Sequence, residues 1–257
     1  MARLGLRFVA LGYLGLILLA PLGLVCYRTF AHDAGAAWAT LRTHDTLHAF
    51  QVTLIAVGIA VPLNAIFGVL CALAIVRGRF RGRGLLNAFV DLPLALSPVV
   101  VGAALFLLYG RGGWLHAFDV LFTIRGIVLA SVFISLPFVA REVVPTLREI
   151  GDEQEQAAFT LGASGWQTFW RVTLPSIRWA VVYGVVLTGA RCLGEYGAVA
   201  VVSGNIEGRT QTATLAVQDA YLNLDHAGAY AISLVLALIA ILVLVAMSVV
   251  RPREASR

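Results

Sequence analysis

Lysine is absent from the 257-residue chain, and all 19 of its basic residues are arginine. That absence removes the GxxxxGK[ST] phosphate loop, whose lysine reaches the nucleotide phosphates, so this chain cannot hydrolyse ATP by that route alone. Charge of either sign is scarce. Asp, Glu, Lys and Arg make up 13% of residues, against about 25% in soluble domains. Cysteine is scarce too, and three thiols do not pair evenly, which excludes a disulfide scaffold. Cys26, Cys71 and Cys192 all lie in apolar runs and read as small buried hydrophobes. What remains is apolar: 60% of the chain is hydrophobic, a composition for lipid and for one membrane domain. The net charge of +5 does not indicate a nucleic-acid partner, because the arginines are scattered between apolar runs.

Crossing about 30 Å of hydrocarbon takes about 20 helical residues, since an open strand edge would leave backbone groups unpaired in lipid. Charge-free runs therefore mark an all-α membrane protein with six spans, at 8–27, 50–76, 87–110, 126–143, 179–206 and 227–250. A cleaved signal peptide is the alternative for the first run, but its apolar region is usually about 7 to 15 residues. The fourth run is the shortest, and Arg125 and Arg141 must reach outward from its ends for it to cross.

An even number of spans puts both termini on one side, and the arginines choose which. With the termini in the cytoplasm, that side holds Arg3, Arg7, Arg77, Arg79, Arg81, Arg83, Arg141, Arg148, Arg171, Arg178, Arg251, Arg253 and Arg257. The outer loops then keep only Arg28, Arg42, Arg111, Arg125 and Arg209. The positive-inside rule selects this orientation.

The longest inward segment, residues 144–177, is patterned as two short helices and a turn. Asp152, Glu153 and Glu155 suit the positive end of a helix, and Ala157, Ala158 and Leu161 follow as a shallow apolar surface. Gly162 ends that helix. Ser164 stands three residues before Gln167, the spacing of a capping box, and Pro175 closes the second helix. Such a surface either docks another protein or packs on the chain's own membrane base.

Charge inside the fifth span is the second unusual feature. Arg191 and Glu195 are four residues apart, on one face of a helix, and intramembrane ionisable groups normally face protein or a wet path. They either lock helices together or line a path, where Arg191 offers an anion a transient stop. Tyr196, Ser203 and Asn205 join them as candidates for the same path or lock. The polar stretch 203–214 either presents donors to an oxyanion or forms an outer loop beneath a docked protein, the second being preferred. His44 and His48 are at i, i+4 without the glutamate of a zinc-protease helix, His32, His116 and His226 add no ligand cluster, and no metal is expected. His44 and His48 read as a solvated interfacial pair.

The stretch from Glu155 through Gln156, Ala157, Ala158, Leu161, Gly162 and Ala163 to Ser164, followed by Val172 to Leu174 and Pro175, resembles the EAA loop of permease subunits of ATP-binding-cassette importers. That resemblance implies a MetI-like fold whose 144–177 loop is a coupling helix seated in a cleft of an ATPase subunit. It departs from the pattern at one place: the glutamate that opens the family motif falls on Gln156, with Glu155 beside it. The runs 91–98, 136–142, 194–198 and 202–205 look like those of sulfate/thiosulfate permeases, with molybdate and tungstate permeases sharing much of the pattern. The resemblance implies a heterodimer with a homologous permease, two ATPase subunits that carry the ATP, and an external sulfate-binding protein. No cofactor is then bound by this chain. A stand-alone secondary carrier is the rival from another class, and it would show paired repeats and matching broken helices, which this sequence does not. An intramembrane enzyme would need a nucleophile and base or a metal motif, and neither is found.

Overall fold

The computed structural model describes residues 2–250, excluding the side chains of residues 2–11, 18, 31–34 and 246–250. The side chains of Arg3, Arg7 and His32, and all of Arg251, Arg253 and Arg257, therefore lie outside the described residues.

Helices account for every regular element among the described residues. The chain opens with α1 (Ala2–Leu41), and after a two-residue turn Thr43 caps α2 (His44–Val76) by accepting the Thr46 N–H. This start lies six residues ahead of the expected span at 50. The helix runs through Pro62, which membrane helices tolerate when neighbours satisfy the freed carbonyl.

The third run is not one straight helix. It forms α3 (Arg83–Ala95) and α4 (Pro98–Tyr109), bent by 109°. Pro98 has no N–H to donate and pushes Ser97 into extended backbone, so the helix must stop before it and restart in a new direction.

The fourth run, expected to be short, is α5 (Ile124–Ile150), which continues past Arg141 and Pro145. Its 27 residues rise about 40 Å, enough to cross without long side chains reaching outward. Helix α5 is also the most enclosed of the spanning helices. It packs with α2 and with α8 (Leu174–Leu193) around Val69, Ala72, Val139, Val143, Leu147 and Ile177.

The close packing of these three helices has a visible cause. Val139 sits between Gly68 of α2 and Gly184 of α8, and a Cβ on Gly184 would lie 2.7 Å from the Val139 Cα. Small residues that let backbones approach are a principal source of helix association in lipid. Gly184→Ala is therefore expected to destabilise the protein by about 2 kcal/mol, as overpacking against backbone. Gly189→Ala, whose Cβ would meet only Val61 Cγ2 at 3.8 Å, is expected to be tolerated. Thermal unfolding of the two variants in detergent compares them directly.

The fifth run also divides. Helix α8 ends at Leu193, and after Gly194–Tyr196 the chain forms α9 (Gly197–Ser203). Residues 203–214 are only partly solvated: Ser203, Thr210, Gln211 and Thr212 are buried, Gly204 and residues 206–209 are exposed, and α10 (Ala213–Leu222) follows. The Ala213 N–H donates to Thr53 Oγ1 of α2 at 2.9 Å, fixing this segment to the spanning helices. The last helix is α11 (His226–Val250). Five helices among the described residues are long and apolar enough to cross a membrane, and six if the bent α3–α4 pair counts as one crossing.

Chain direction alternates through this bundle. Ala49 at the start of α2 packs with Ala213, Ala216 and Ile232, whereas Arg77 at its end meets α5 and Glu155. The two ends of the bundle are thus distinct, one built from residues 203–226 and the other from residues 144–177. Much of α1 and α11 remains apolar and exposed, including Leu16, Leu19, Leu238 and Leu242, as lipid-facing helices require. Cys26 belongs to this exposed surface, against the expectation of burial, because a lipid-facing position is apolar without being enclosed.

Candidate functional site

At one end of the bundle, α5 and α8 are joined by a projecting hairpin. Its first arm is α6 (Glu153–Thr160), with Glu153 and Glu155 in the first turn. The arm ends in a Schellman motif: the Ala163 N–H donates to the Ala158 carbonyl at 3.0 Å and the Gly162 N–H to that of Phe159 at 3.0 Å. This closure needs a left-handed residue, and Gly162 has φ +85°.

Ser164 then caps α7 (Gly165–Thr168): Gln167 N–H donates to Ser164 Oγ at 3.3 Å, and Ser164 N–H donates to Gln167 Oε1 at 2.9 Å. The expected capping box is thus present. Pro175 does not close the second helix as expected. It lies in the first turn of α8, and a π-helical turn, Phe169–Thr173, joins α7 to α8. The widened turn carries the chain past the N–H that proline lacks.

The hairpin has two unlike faces. Inward, Glu155 Oε2 accepts from Arg77 Nε at 2.9 Å, and Glu155 Oε1 accepts from Thr173 Oγ1 at 2.9 Å. Outward, Gln156, Ala157 and Leu161 are exposed, Leu161 to 88%. Ala158, Ala163 and Leu174 are half-buried, and Pro175 is exposed. Three exposed aromatics extend this face beyond the expected residues. They are Phe159, Trp166 at 71% and Trp170, the two tryptophans lying edge to face at 5.6 Å. Aromatic residues at 166 and 170 in a segment expected outside lipid were the signal for them in the sequence. Exposed apolar residues around such an ordered turn form a patch of the kind that protein interfaces bury.

The second constellation lies toward the other end. Arg191 Nη1 is 2.6 Å from Glu195 Oε2, so the expected pair forms, although α8 has ended by Leu193 and the pair spans the break. The contact is ionic, without the alignment of a hydrogen bond. The Glu195 side chain is 2% exposed and that of Arg191 is 33% exposed. Glu195 Oε1 also accepts the Ala198 N–H at 3.1 Å, so one carboxylate holds both the guanidinium and the start of α9. Next to it the Tyr196 hydroxyl donates to Gln218 Oε1.

Ser203 and Asn205 are engaged within the chain instead of facing outward. Asn205 Nδ2 and Gln211 Nε2 both donate to Asp219 Oδ2, at 2.7 and 2.6 Å, and the Asn205 N–H donates to the buried Ser203 Oγ at 3.1 Å. These bonds fold both ends of 203–212 back toward α10, which buries Ser203 and residues 210–212 while the tip at 206–209 stays exposed. His44 is exposed and stacks on His48 at 6.2 Å, but His48 is half-buried with its Nδ1 enclosed, so only the first of the pair is fully solvated. The described residues contain no cluster of His, Cys, Asp and Glu able to hold a metal.

Comparison with known proteins bears on the chain as a whole. The family model described as "Binding-protein-dependent transport system inner membrane component" matches residues 64–256. The protein named "Sulfate transport system permease protein CysW" of Synechococcus elongatus is 46% identical over 256 residues, covering 97% of this chain and 90% of that one. "Sulfate transport system permease protein CysT" of Escherichia coli is 38% identical over 248 residues, covering 94% and 90%. Among solved structures, a bacterial ABC transporter involved in import of the acidic polysaccharide alginate superposes with a TM-score of 0.76 at 16% identity, over 99% of this chain and 96% of that one. A complex of the alginate transporter with its periplasmic protein bound to an alginate pentasaccharide gives a TM-score of 0.74, at 16% identity over 99% of this chain and 95% of that one.

Proposed function

This chain belongs to the family of binding-protein-dependent transport system inner membrane components, and on that premise we propose that it is a permease subunit of an ATP-driven sulfate importer. The observation that carries the mechanism is the ordered hairpin of residues 153–173, whose apolar face is turned away from the chain's own bundle. A surface of this kind suits the cleft of an ATPase subunit. Sulfate or thiosulfate as cargo is supported by the likeness to CysW and CysT proteins over nearly the whole chain.

A homologous permease completes the path. Two ATPase subunits sit beneath it, a sulfate-binding protein docks above, and both termini face the cytoplasm with the hairpin. ATP binding draws the ATPase subunits together, the hairpins move with them, and the spanning helices rock to alternate access. Free energy comes from the ATPase, and this chain supplies the route and the mechanical link.

Along the route, Arg191 offers the anion a positive contact. Its guanidinium is partly exposed while its counter-ion is buried, so a dianion can approach one side while Glu195 keeps the site from holding it tightly. Affinity belongs to the binding protein, because a permease with a deep well would not release its cargo. Cells lacking this chain are expected to lose uptake of labelled sulfate and to regain it on complementation. Retained sulfate uptake with loss of molybdate uptake instead would transfer the assignment to a molybdate permease.

A further inference from the structure

The first residue past α2 gathers the bundle at the hairpin end. Arg77 is the C-cap residue of α2, and its guanidinium does three things at once. Nε and Nη2 address the two oxygens of Glu155 at 2.9 and 3.5 Å. Nη1 donates to the Leu147 carbonyl at 3.3 Å, and Nη2 donates to the Gly151 carbonyl. Those carbonyls belong to the last turn and the cap of α5, which has no further helical N–H groups to satisfy them. Glu155 in turn accepts from Thr173, the last residue of the π-helical turn that leads into α8.

One arginine and one glutamate therefore join α2, α5, α6 and the root of α8. The same three spanning helices are packed as a block just beyond, around Val139, Val143, Leu147 and Ile177. Both charged side chains are shielded, at 24% and 15% exposure, which preserves the strength of the ionic contact. The planar guanidinium suits this task, because its fork can serve a carboxylate and two carbonyls together, whereas an ammonium presents a single point of charge.

We infer that Arg77 and Glu155 are positioning residues for coupling: they form the joint through which displacement of the hairpin is delivered to α2, α5 and α8 together. This inference rests on the assignment of the hairpin to ATPase coupling and deepens it. Without the joint, the hairpin keeps its two chain roots, the packing of Phe169 and Leu174 on the bundle core and the Ser176–Gln154 contact, but loses its charged tie to α2 and to the end of α5. The ATPase can then cycle while the spanning helices lag. Glu155 thus acts inside this chain, while its exposed neighbour Gln156 occupies the outward position.

The test uses the complete importer in proteoliposomes, with ATP hydrolysis and labelled sulfate uptake measured on the same sample. Glu155→Gln and Arg77→Lys are expected to leave assembly with the ATPase intact and to raise the ATP consumed per sulfate imported about ten-fold, the scale of one lost charge-assisted hydrogen bond. Thr173→Val, which removes a neutral donor to the same carboxylate, is expected to raise the ratio less. Glu149→Gln neutralises an exposed carboxylate on α5 outside the joint and is expected to leave the ratio unchanged.

If uptake and hydrolysis fall together with the amount of assembled complex, at an unchanged ratio, the pair is only a structural tie and the inference is overturned. Should Glu155→Gln fail to assemble, an unchanged ratio in both Arg77→Lys and Thr173→Val overturns it equally. Failure of the parent assignment looks different, because the unaltered complex would then show no ATP-dependent sulfate uptake at all.

Discussion

Replacing Gly162 with tryptophan is expected to abolish capture of the ATPase subunit and ATP-driven uptake while leaving the permease folded. A Cβ at this position meets nothing within 4 Å of the chain itself, so the side chain has room in the free protein. The internal cost is confined to the backbone, at φ +85°, where an L-residue gives up about 1–2 kcal/mol. A partner seated over Leu161 and the neighbouring aromatics meets the new indole directly. Loss of a central contact of that kind weakens binding about a hundred-fold.

The control is Gly162→Asn. Asparagine enters the left-handed region more easily than other side chains, so it carries most of the backbone change with far less bulk. Capture near the parental level by Gly162→Asn and loss by Gly162→Trp would identify steric exclusion of a partner. Equal loss in both would point to collapse of the Schellman turn. Co-purification of the ATPase with each variant, at matched permease levels, reads the difference.

Removal of the Glu195 carboxylate is expected to be the most destabilising single change in the far half of the molecule. Glu195→Ala leaves Arg191 without its counter-ion and the Ala198 N–H without its acceptor. Breaking a buried pair in this way typically costs about 3–5 kcal/mol, and the partial exposure of Arg191 places this one toward the lower end. Arg191→Met strands the carboxylate instead and is expected to cost a similar amount. The double variant Arg191→Met with Glu195→Met removes both charges and is expected to recover much of the stability, since desolvation of each ion disappears with it. Transport separates the two roles. A stable double variant that no longer imports sulfate places Arg191 on the route of the anion. A stable double variant that imports normally shows that the pair only fastens α8 to α9.

Local signals in the sequence reached the structure where neighbours along the chain decide the outcome. The turn at Gly162, the capping box of Ser164 and Gln167, and the acidic start of α6 all depend on contacts within a few residues. The bend between α3 and α4 was hidden because an apolar run looks alike whether straight or folded, and only the geometry at Ser97–Pro98 divides it. Residues 203–212 looked like a surface loop because their composition is polar. The burial of their two ends follows from Asp219, a carboxylate beyond the segment that gathers two amide side chains, while the tip at 206–209 is exposed as expected. The Arg77–Glu155 joint lies between residues 78 apart, and no periodicity reports a contact at that distance. Pro175 misled for the opposite reason: proline stops a helix from the inside yet fits the first turn of the next one.

The most direct test of the hairpin assignment is photocrosslinking in intact membranes, with a photoreactive residue at Leu161 and, as a mirror position, at Leu224. Both side chains are exposed, and they lie at opposite ends of the bundle. Crosslinking of position 161 to the ATPase, with none from position 224, is the predicted result. Capture of the ATPase from position 224, or of the external binding protein from position 161, would contradict the account.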